Sequence, residues 1–323
     1  MKVLITGGAG FIGSHFVDLL LTEKELTSLV VMDSLTYAGN LKNLESALLD
    51  ERVIFVNQNI TKSWLGISVL ENIDLVINFA AESHVDRSIE NSSNSIDTNV
   101  VGVENLLRMS LASGVKKFLQ VSTDEVYGSI ESGNWDENSP LQPNSPYSAS
   151  KASADLLVLA YYKTYGLNIN ITRCSNNYGS RQFPEKFIPV AINSLLSQKK
   201  VPVYGDGTNR RDWLSVTDHC DAIKRVAFLG KPGEIYNIGG GLELSNLDLV
   251  KLIAKTMEVS ENQIEFVEDR KGHDFRYSVN YDKISNELGY QPKGNLNHDI
   301  SDVIDWYRKN SNWWTDVSKL EIR

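Results

Sequence analysis

The chain has 323 residues, of which 41% are hydrophobic and 23% charged, enough for two domains or one large α/β unit of ordinary globular composition. Its net charge of −9, with no long basic run, excludes broad nucleic-acid binding, which needs a cationic surface, but leaves room for a small anionic ligand at a locally basic site. Cys174 and Cys220 are its 2 cysteines, which points to a reducing compartment without a disulfide framework, and no apolar run approaches the ~20 residues that span a bilayer.

In chain order, the first half alternates short apolar strands with helical stretches. Val3 to Thr6 reads as a strand. It lies so near the start that no signal peptide is expected, and the protein is expected to be cytoplasmic and not a membrane protein. Gly13 to Thr22 reads as a helix, Leu29 to Asp33, Val53 to Val56 and Leu75 to Phe79 as strands. Asn94 to Ser113 reads as one helix, with Ile96, Val100, Val103, Leu106, Leu107 and Leu111 near helical spacing. Phe118 to Ser122 is a strand, Tyr147 to Tyr165 a long helix, and Ile169 to Arg173 a further strand. Strands this apolar are buried on both faces. Their alternation with helices predicts an α/β fold, a Rossmann-type doubly wound parallel sheet.

After residue 178 the pattern changes. Gly179 to Pro189 is rich in turn formers and charges, and Val201 to Asn209 reads as loop or short strand. Glu234 to Ile238 reads as one more sheet strand, Leu247 to Met257 and His298 to Asn310 as helices. The expected layout is a Rossmann domain over 1–178, to which the chain returns at about 210–238, and a smaller C-terminal α/β substrate domain over most of 179–323.

Thr6-Gly7-Gly8-Ala9-Gly10-Phe11-Ile12-Gly13 follows the first strand and opens the first helix. Glycines suit this position because the turn is tight and the backbone must approach a pyrophosphate closely. The free amides of the helix N-terminus then meet the anion. A glycine motif alone is weak evidence. Here strand, turn and helix come in the right order, and Asp33 ends the second strand about 20 residues on. A carboxylate there accepts hydrogen bonds from both adenosine ribose hydroxyls and repels a 2′-phosphate, so the expected cofactor is NAD rather than NADP.

Strand 118–122 delivers Thr123, Asp124 and Glu125 to its carboxyl end, the edge that faces the ligand crevice in an open α/β sheet. Tyr147 and Lys151 are four apart on a helix and share a face, where the ammonium is expected to lower the phenol pKa. Either constellation alone is often incidental, a polar strand end or a surface pair. Together with the glycine fingerprint they point to catalysis. Tyr147 with Lys151 makes a base for a sugar hydroxyl. The adjacent Asp and Glu add an acid and a second base that hydride transfer does not need but loss of water does.

On these residues the chain resembles the extended short-chain dehydrogenase/reductases and, more narrowly, the dTDP-glucose 4,6-dehydratases. The resemblance runs over nearly the whole length. It is carried by Asp33-Ser34-Leu35-Thr36-Tyr37-Ala38-Gly39-Asn40, by Ala80-Ala81-Glu82-Ser83-His84-Val85-Asp86-Arg87-Ser88, and by Ser122-Thr123-Asp124-Glu125-Val126-Tyr127-Gly128. It continues in Tyr147-Ser148-Ala149-Ser150-Lys151, Ser175-Asn176-Asn177-Tyr178-Gly179, Arg211-Asp212-Trp213 and Asp269-Arg270-Lys271-Gly272-His273-Asp274. Thr-Asp-Glu is the discriminating part, since related sugar epimerases normally lack the adjacent acid and base.

The resemblance implies a redox-neutral NAD cycle on dTDP-glucose, in deoxysugar biosynthesis such as that of rhamnose. Tyr147 would take the 4-hydroxyl proton, with Thr123 on the same oxygen. Glu125 would take the C5 proton, and Asp124 would protonate the departing 6-hydroxyl. By the same resemblance NAD is held by Gly7, Gly10, Phe11, Ile12 and Gly13, by Asp33, Ser34, Leu35 and Thr36, by Asn59, Ile60, Ala80, Ala81, Ser83 and Thr98, and by Tyr147, Lys151 and Asn177. Substrate contacts fall on Ser83, Thr123, Asn176 and Lys186, with Arg211 and Arg270 on the diphosphate, Asn246 and His273 beside it, and Pro202 and Tyr204 lining the base. No metal is implied. A homodimer is implied, joined through helices 94–113 and 147–165, with Val158 and Tyr162 as candidate contacts.

Departures from the family pattern are Asn59 for an acidic residue at the adenine, Ser180 and Arg181 for a Pro and an aromatic, and Phe275 for an Arg. The alternatives are a dehydratase or 4-epimerase acting on another nucleotide sugar, and a non-catalytic NAD-binding protein. Trp313-Trp314 carries no functional reading beyond packing.

Overall fold

The first strand shows why the sheet forms where it does. Val3 and Ile5 point to one side and Leu4 to the other, and all three are fully buried. A strand with two apolar faces needs helices on both, which is the arrangement observed. The structure, a computed structural model, describes residues 1–314, and the elements below are those of the described residues.

The strands are β1 (Lys2–Thr6), β2 (Ser28–Asp33), β3 (Val53–Asn57), β4 (Leu75–Asn78), β5 (Lys117–Thr123), β6 (Ile169–Cys174), β7 (Asn176–Tyr178), β8 (Val201–Tyr204), β9 (Arg210–Ser215), β10 (Ile235–Ile238), β11 (Glu243–Ser245) and β12 (Ile264–Val267). Seven of them form one sheet in the order β10-β6-β5-β4-β1-β2-β3, parallel throughout. This is the doubly wound Rossmann-type arrangement that the sequence predicts.

The helices are α1 (Phe11–Leu20), α2 (Val85–Glu90), α3 (Ser93–Ile96), α4 (Val103–Ala112), α5 (Pro146–Tyr165), α6 (Phe187–Leu196), α7 (Val216–Leu229), α8 (Asn246–Thr256), α9 (Asp282–Leu288) and α10 (Leu296–Lys309). On one face of the main sheet Phe16 and Leu20 of α1 pack with Ile223 and Val226 of α7. On the other, Leu106 and Leu107 of α4 pack with Ala154 and Val158 of α5. A separate core gathers α6, α8 and α10 around Val201, Val203 and Trp213.

Several elements differ from the sequence reading. The single helix expected over 94–113 is α3, a π-helical turn over Asp97–Gly102, and α4. Asn99 in that turn donates from its amide to Glu82 O and Ser150 Oγ and accepts from Glu82 N, bonds that tie it to its surroundings at an inserted residue. β10 joins the main sheet beside β6, whereas Arg210–Ser215 pairs with β7 and β11 in a three-stranded sheet of its own. β8 pairs with β12, so of the loop or short strand read over Val201 to Asn209, its start is the short strand. Helices α2, α6, α7 and α9 lie in stretches for which the sequence reading assigned no helix. No helix among the described residues is long and apolar enough to cross a membrane.

Beneath the end of β5 lies a buried ion pair. Arg173 Nε donates to Asp155 Oδ2 at 2.8 Å, and Arg173 Nη1 donates to the Tyr127 hydroxyl at 2.8 Å. Tyr127 in turn donates to Asn237 Oδ1 at 2.9 Å. Arg173→Met leaves the Asp155 carboxylate buried without its partner, and it should lower stability in urea unfolding by about 3–5 kcal/mol. A loss under about 1 kcal/mol would contradict the weight given to this pair.

Candidate active site

A cleft follows the carboxyl edge of the main sheet, where β1, β2, β4, β5 and β6 all end. The glycine-rich turn forms one side. Gly7 has φ +70, and a Cβ there would sit 2.5 Å from Ala80 N. At Gly13 a Cβ would meet Gly7 O at 2.3 Å, so only glycine lets α1 start this close to the turn. α1 has Gly10 as its N-cap and no side-chain cap, which leaves its first amides for a ligand anion. The end of β2 supplies Asp33, buried beside the turn. Its Oδ2 accepts Ala9 N–H at 3.0 Å and its Oδ1 accepts Leu35 N–H at 2.8 Å.

The chemistry-bearing residues lie further along the same cleft. β5 ends at Thr123, whose hydroxyl caps a single 3-10 turn, Asp124–Tyr127, by accepting Glu125 N–H at 3.3 Å. α5 opens with Ser145 and Ser148 capping each other and Pro146 at its first turn, which starts the helix one residue before Tyr147. Tyr147 N–H is fixed by Ser88 Oγ at 3.1 Å, and Lys151 Nζ donates to Val121 O at 2.8 Å.

Burial pushes the Asp124 carboxyl well above the ordinary range, and the nearby Glu125 and Asp212 push it further. Burial also raises Glu125, but Arg270, Arg211 and Lys186 pull it back. The two neighbours therefore differ in charge environment, with Asp124 the better proton holder and Glu125 the better carboxylate. The expectation for Tyr147 is reversed. Burial raises its pKa well above the usual value, with Glu125, Cys174 and Asp124 adding to the effect, while the Lys151 ammonium turns to a backbone carbonyl.

Of the residues singled out from the sequence, Gly7, Gly10, Phe11, Ile12, Gly13, Asp33, Ser34, Thr36, Asn59, Ile60, Ala80, Ala81, Ser83 and Thr98 line the cleft. So do Thr123, Glu125, Tyr147, Lys151, Asn176, Asn177 and Lys186. Asp124 is buried behind that wall, and Leu35 reaches the site through its amide on Asp33. Asn59 Oδ1 accepts Thr61 N–H at 2.9 Å, which leaves its second lone pair.

The remaining candidates stand apart from the cleft lining. Arg211 is buried, lies over the Tyr277 ring at 4.4 Å, and donates to the carbonyls of Arg210, Asp274 and Phe275. Arg270 lies 3.5 Å from Asp86, and His273 pairs with Asp269 and meets the Tyr204 ring edge-on at 6.1 Å. Pro202 is exposed on β8, and Asn246 opens α8 half-buried. Cys174, Ser175, Gln182, Phe183, Glu185 and Trp213 line the cleft without having been singled out. Cys174 and Ser175 could have been found from the end of β6. Nothing in the turn-rich stretch marked Gln182 or Phe183.

A family model described as GDP-mannose 4,6 dehydratase matches residues 4–303. A dTDP-glucose 4,6-dehydratase of Actinoplanes sp. is 50% identical over 320 residues, covering 98% of this chain and 100% of the relative. The chain belongs to the dTDP-glucose 4,6-dehydratase family. Among solved structures it is similar to the dTDP-glucose 4,6-dehydratase DesIV of Streptomyces venezuelae with NAD bound, at a TM-score of 0.96 and 48% identity over 98% of this chain and 100% of that one. It is also similar to the dTDP-glucose 4,6-dehydratase of Bacillus anthracis in complex with NAD, at a TM-score of 0.91 and 45% identity over 98% and 99% of the two chains.

The buried Asp124 carboxyl carries a stability signature. Its folded pKa lies well above the unfolded value of about 3.9, so its contribution is fully present below that pH and is lost as pH rises towards the folded value. Asp124→Asn removes the titration. The variant should show a higher urea midpoint than the wild type near neutral pH and above, with the difference shrinking towards pH 4. A difference independent of pH would show that Asp124 is not held neutral.

Proposed function

We propose that the chain is an NAD-dependent hydro-lyase that converts dTDP-glucose to dTDP-4-keto-6-deoxyglucose, for deoxysugar biosynthesis. The observation that carries this is the Asp124-Glu125 pair at the end of β5, in reach of the cleft that Tyr147 and the glycine-rich turn share. The turn at Gly7 to Gly13 and the Asp33 carboxylate fit a dinucleotide, and Lys151, which lines the same cleft, would hold the nicotinamide ribose. NAD held there would supply a hydride acceptor for C4 of the hexose and, once reduced, a hydride donor for C6, with a proton returned to C5.

Tyr147 accepts the proton of the 4-hydroxyl, with Thr123 hydrogen-bonded to the same oxygen. The 4-ketone acidifies C5–H. Glu125, raised by burial but less freely than Asp124 because three cations oppose the rise, removes that proton. Asp124, held towards its neutral form by burial, protonates the leaving 6-hydroxyl. Lys186, whose ammonium now donates to Ser83 O at 2.7 Å, supplies positive charge for the diphosphate with Arg211 and Arg270. Ser83, Asn176, Asn246 and His273 complete the sugar-phosphate contacts, and Pro202 and Tyr204 the base contacts.

We further propose a cytoplasmic homodimer. Val158, named from the sequence as a contact, is instead buried in the core and Tyr162 packs against it; the support is apolar surface elsewhere on α5 and on the helical run before it, where Leu156, Tyr165, Ile96 and Val101 are all exposed. Light scattering at micromolar concentration should give twice the chain mass, and a monomer mass would refute the dimer.

The activity is tested by incubating the protein with dTDP-glucose and reading product mass and NADH absorbance together. The expected outcome is loss of one water with no net NADH. Conversion to an isomer of unchanged mass would mean an epimerase, and binding of NAD without turnover a non-catalytic protein. Glu125→Gln should slow solvent exchange at C5 by about 10²–10⁴-fold, and unchanged exchange would remove Glu125 from the mechanism.

A further inference from the structure

The Trp313-Trp314 pair does more than fill space. Trp313 is buried against Trp306 and Tyr307 with ring centroids at 5.0 and 6.5 Å, in the core built by α10. A Phe could serve that packing. The indole N–H does something a Phe could not, because it leaves this core and donates to Asn43 Oδ1 at 2.9 Å. Asn43 belongs to the segment that follows the Asp33 loop, and its Nδ2 donates to Ala9 O at 2.8 Å. Ala9 is the residue between Gly8 and Gly10 of the glycine-rich turn.

Trp313, Asn43 and Ala9 are all buried. Both ends of the Asn43 amide are used, and its orientation is fixed by its partners. Turned over, it would set its NH2 against the indole N–H and its oxygen against the Ala9 carbonyl, two repulsive contacts in place of two bonds. Ala9 O also accepts Asn40 N–H at 3.0 Å, and Ala9 N–H donates to Asp33 Oδ2 at 3.0 Å. The Ala9 peptide is thus held from both sides, and one hold begins at Trp313.

Helix α10, against which Trp313 packs, reaches a second part of the cleft wall. The Tyr307 hydroxyl donates to Gln182 O, and Gln182 Nε2 donates to Asn177 O at 2.9 Å. Gln182, Asn177 and Phe183 line the cleft, and Phe183 meets Tyr37 edge-on at 5.3 Å.

We infer that Trp313 is a positioning residue for the dinucleotide site, fixing the glycine-rich turn through Asn43 while Tyr307 braces the cleft wall at Gln182. This rests on the reading that the cleft binds NAD. A buried acceptor left without its donor is costly, so Asn43 Oδ1 cannot simply do without Trp313. Once the N–H is gone the Asn43 amide is held by one bond instead of two, and its hold on the Ala9 peptide loosens.

The test is NAD binding by calorimetry on nucleotide-stripped full chain, for the wild type, Trp313→Phe, Asn43→Ala and the double variant. Trp313→Phe should raise the NAD Kd about fivefold, the scale of one hydrogen bond, and excess NAD should restore its turnover. The double variant should bind no worse than Asn43→Ala alone, because both substitutions break one relay. A wild type that binds no NAD refutes the NAD reading and this inference with it. Wild-type binding with an unchanged Kd in Trp313→Phe, or fully additive losses, refutes the inference alone. If Trp313→Phe does not fold, Asn43→Ala decides, and an unchanged Kd there refutes it equally.

Discussion

The chemistry depends on one 3-10 turn, Asp124–Tyr127, at the end of β5. In the proposed cycle its two carboxyls are the difference between a scaffold that can only oxidise and one that can also expel water. A turn of four residues has little rigidity of its own. Here it is fixed at both ends: Thr123 caps its start, and at its far end the Tyr127 side chain is buried in hydrogen bonds from Arg173 and to Asn237. β5, β6, β10 and α5 therefore converge on the acid and base. The Arg173–Asp155 pair is best understood as the anchor of that convergence, since a buried pair is seldom kept for its net stability alone.

Electrostatics then separates two adjacent carboxyls that would otherwise behave alike. Asp124 faces inward, with Glu125 and Asp212 raising its pKa further and Arg211 opposing them. Glu125 opens on the cleft among Arg270, Arg211 and Lys186. The 3-10 turn sets which is which, because consecutive residues in it point about 120° apart. The same environment raises the Tyr147 phenol, so the pairing with Lys151 is not enough by itself to prepare that base.

Much of this was legible in the sequence, and the parts that were not have physical reasons. Strands such as β1 and β6 were readable because they are apolar on both faces. α6 was hidden by Pro189, which lies in the first turn of the helix, where a missing N–H costs nothing. α7 buries Asp218 and His219 along with its apolar face, which blurs the periodicity. The π-helical turn at Asp97–Gly102 adds a residue that a 3.6-residue period does not register. Motifs located Thr123 to Glu125, Tyr147 and Asp33 because each is fixed by local context. The placement of Arg211 among backbone carbonyls and the Tyr277 ring depends on segments far apart in sequence, and so does the reach of Trp313 to Asn43.

The central claim is that one site oxidises, eliminates and reduces the same sugar without exchanging its hydride with the medium. The most direct measurement follows deuterium placed at C4 of dTDP-glucose into the product by NMR. Deuterium is expected at C6 of a dehydrated product, with no net NADH. Deuterium lost to solvent, or retained at C4 of an isomer that has lost no water, would contradict it.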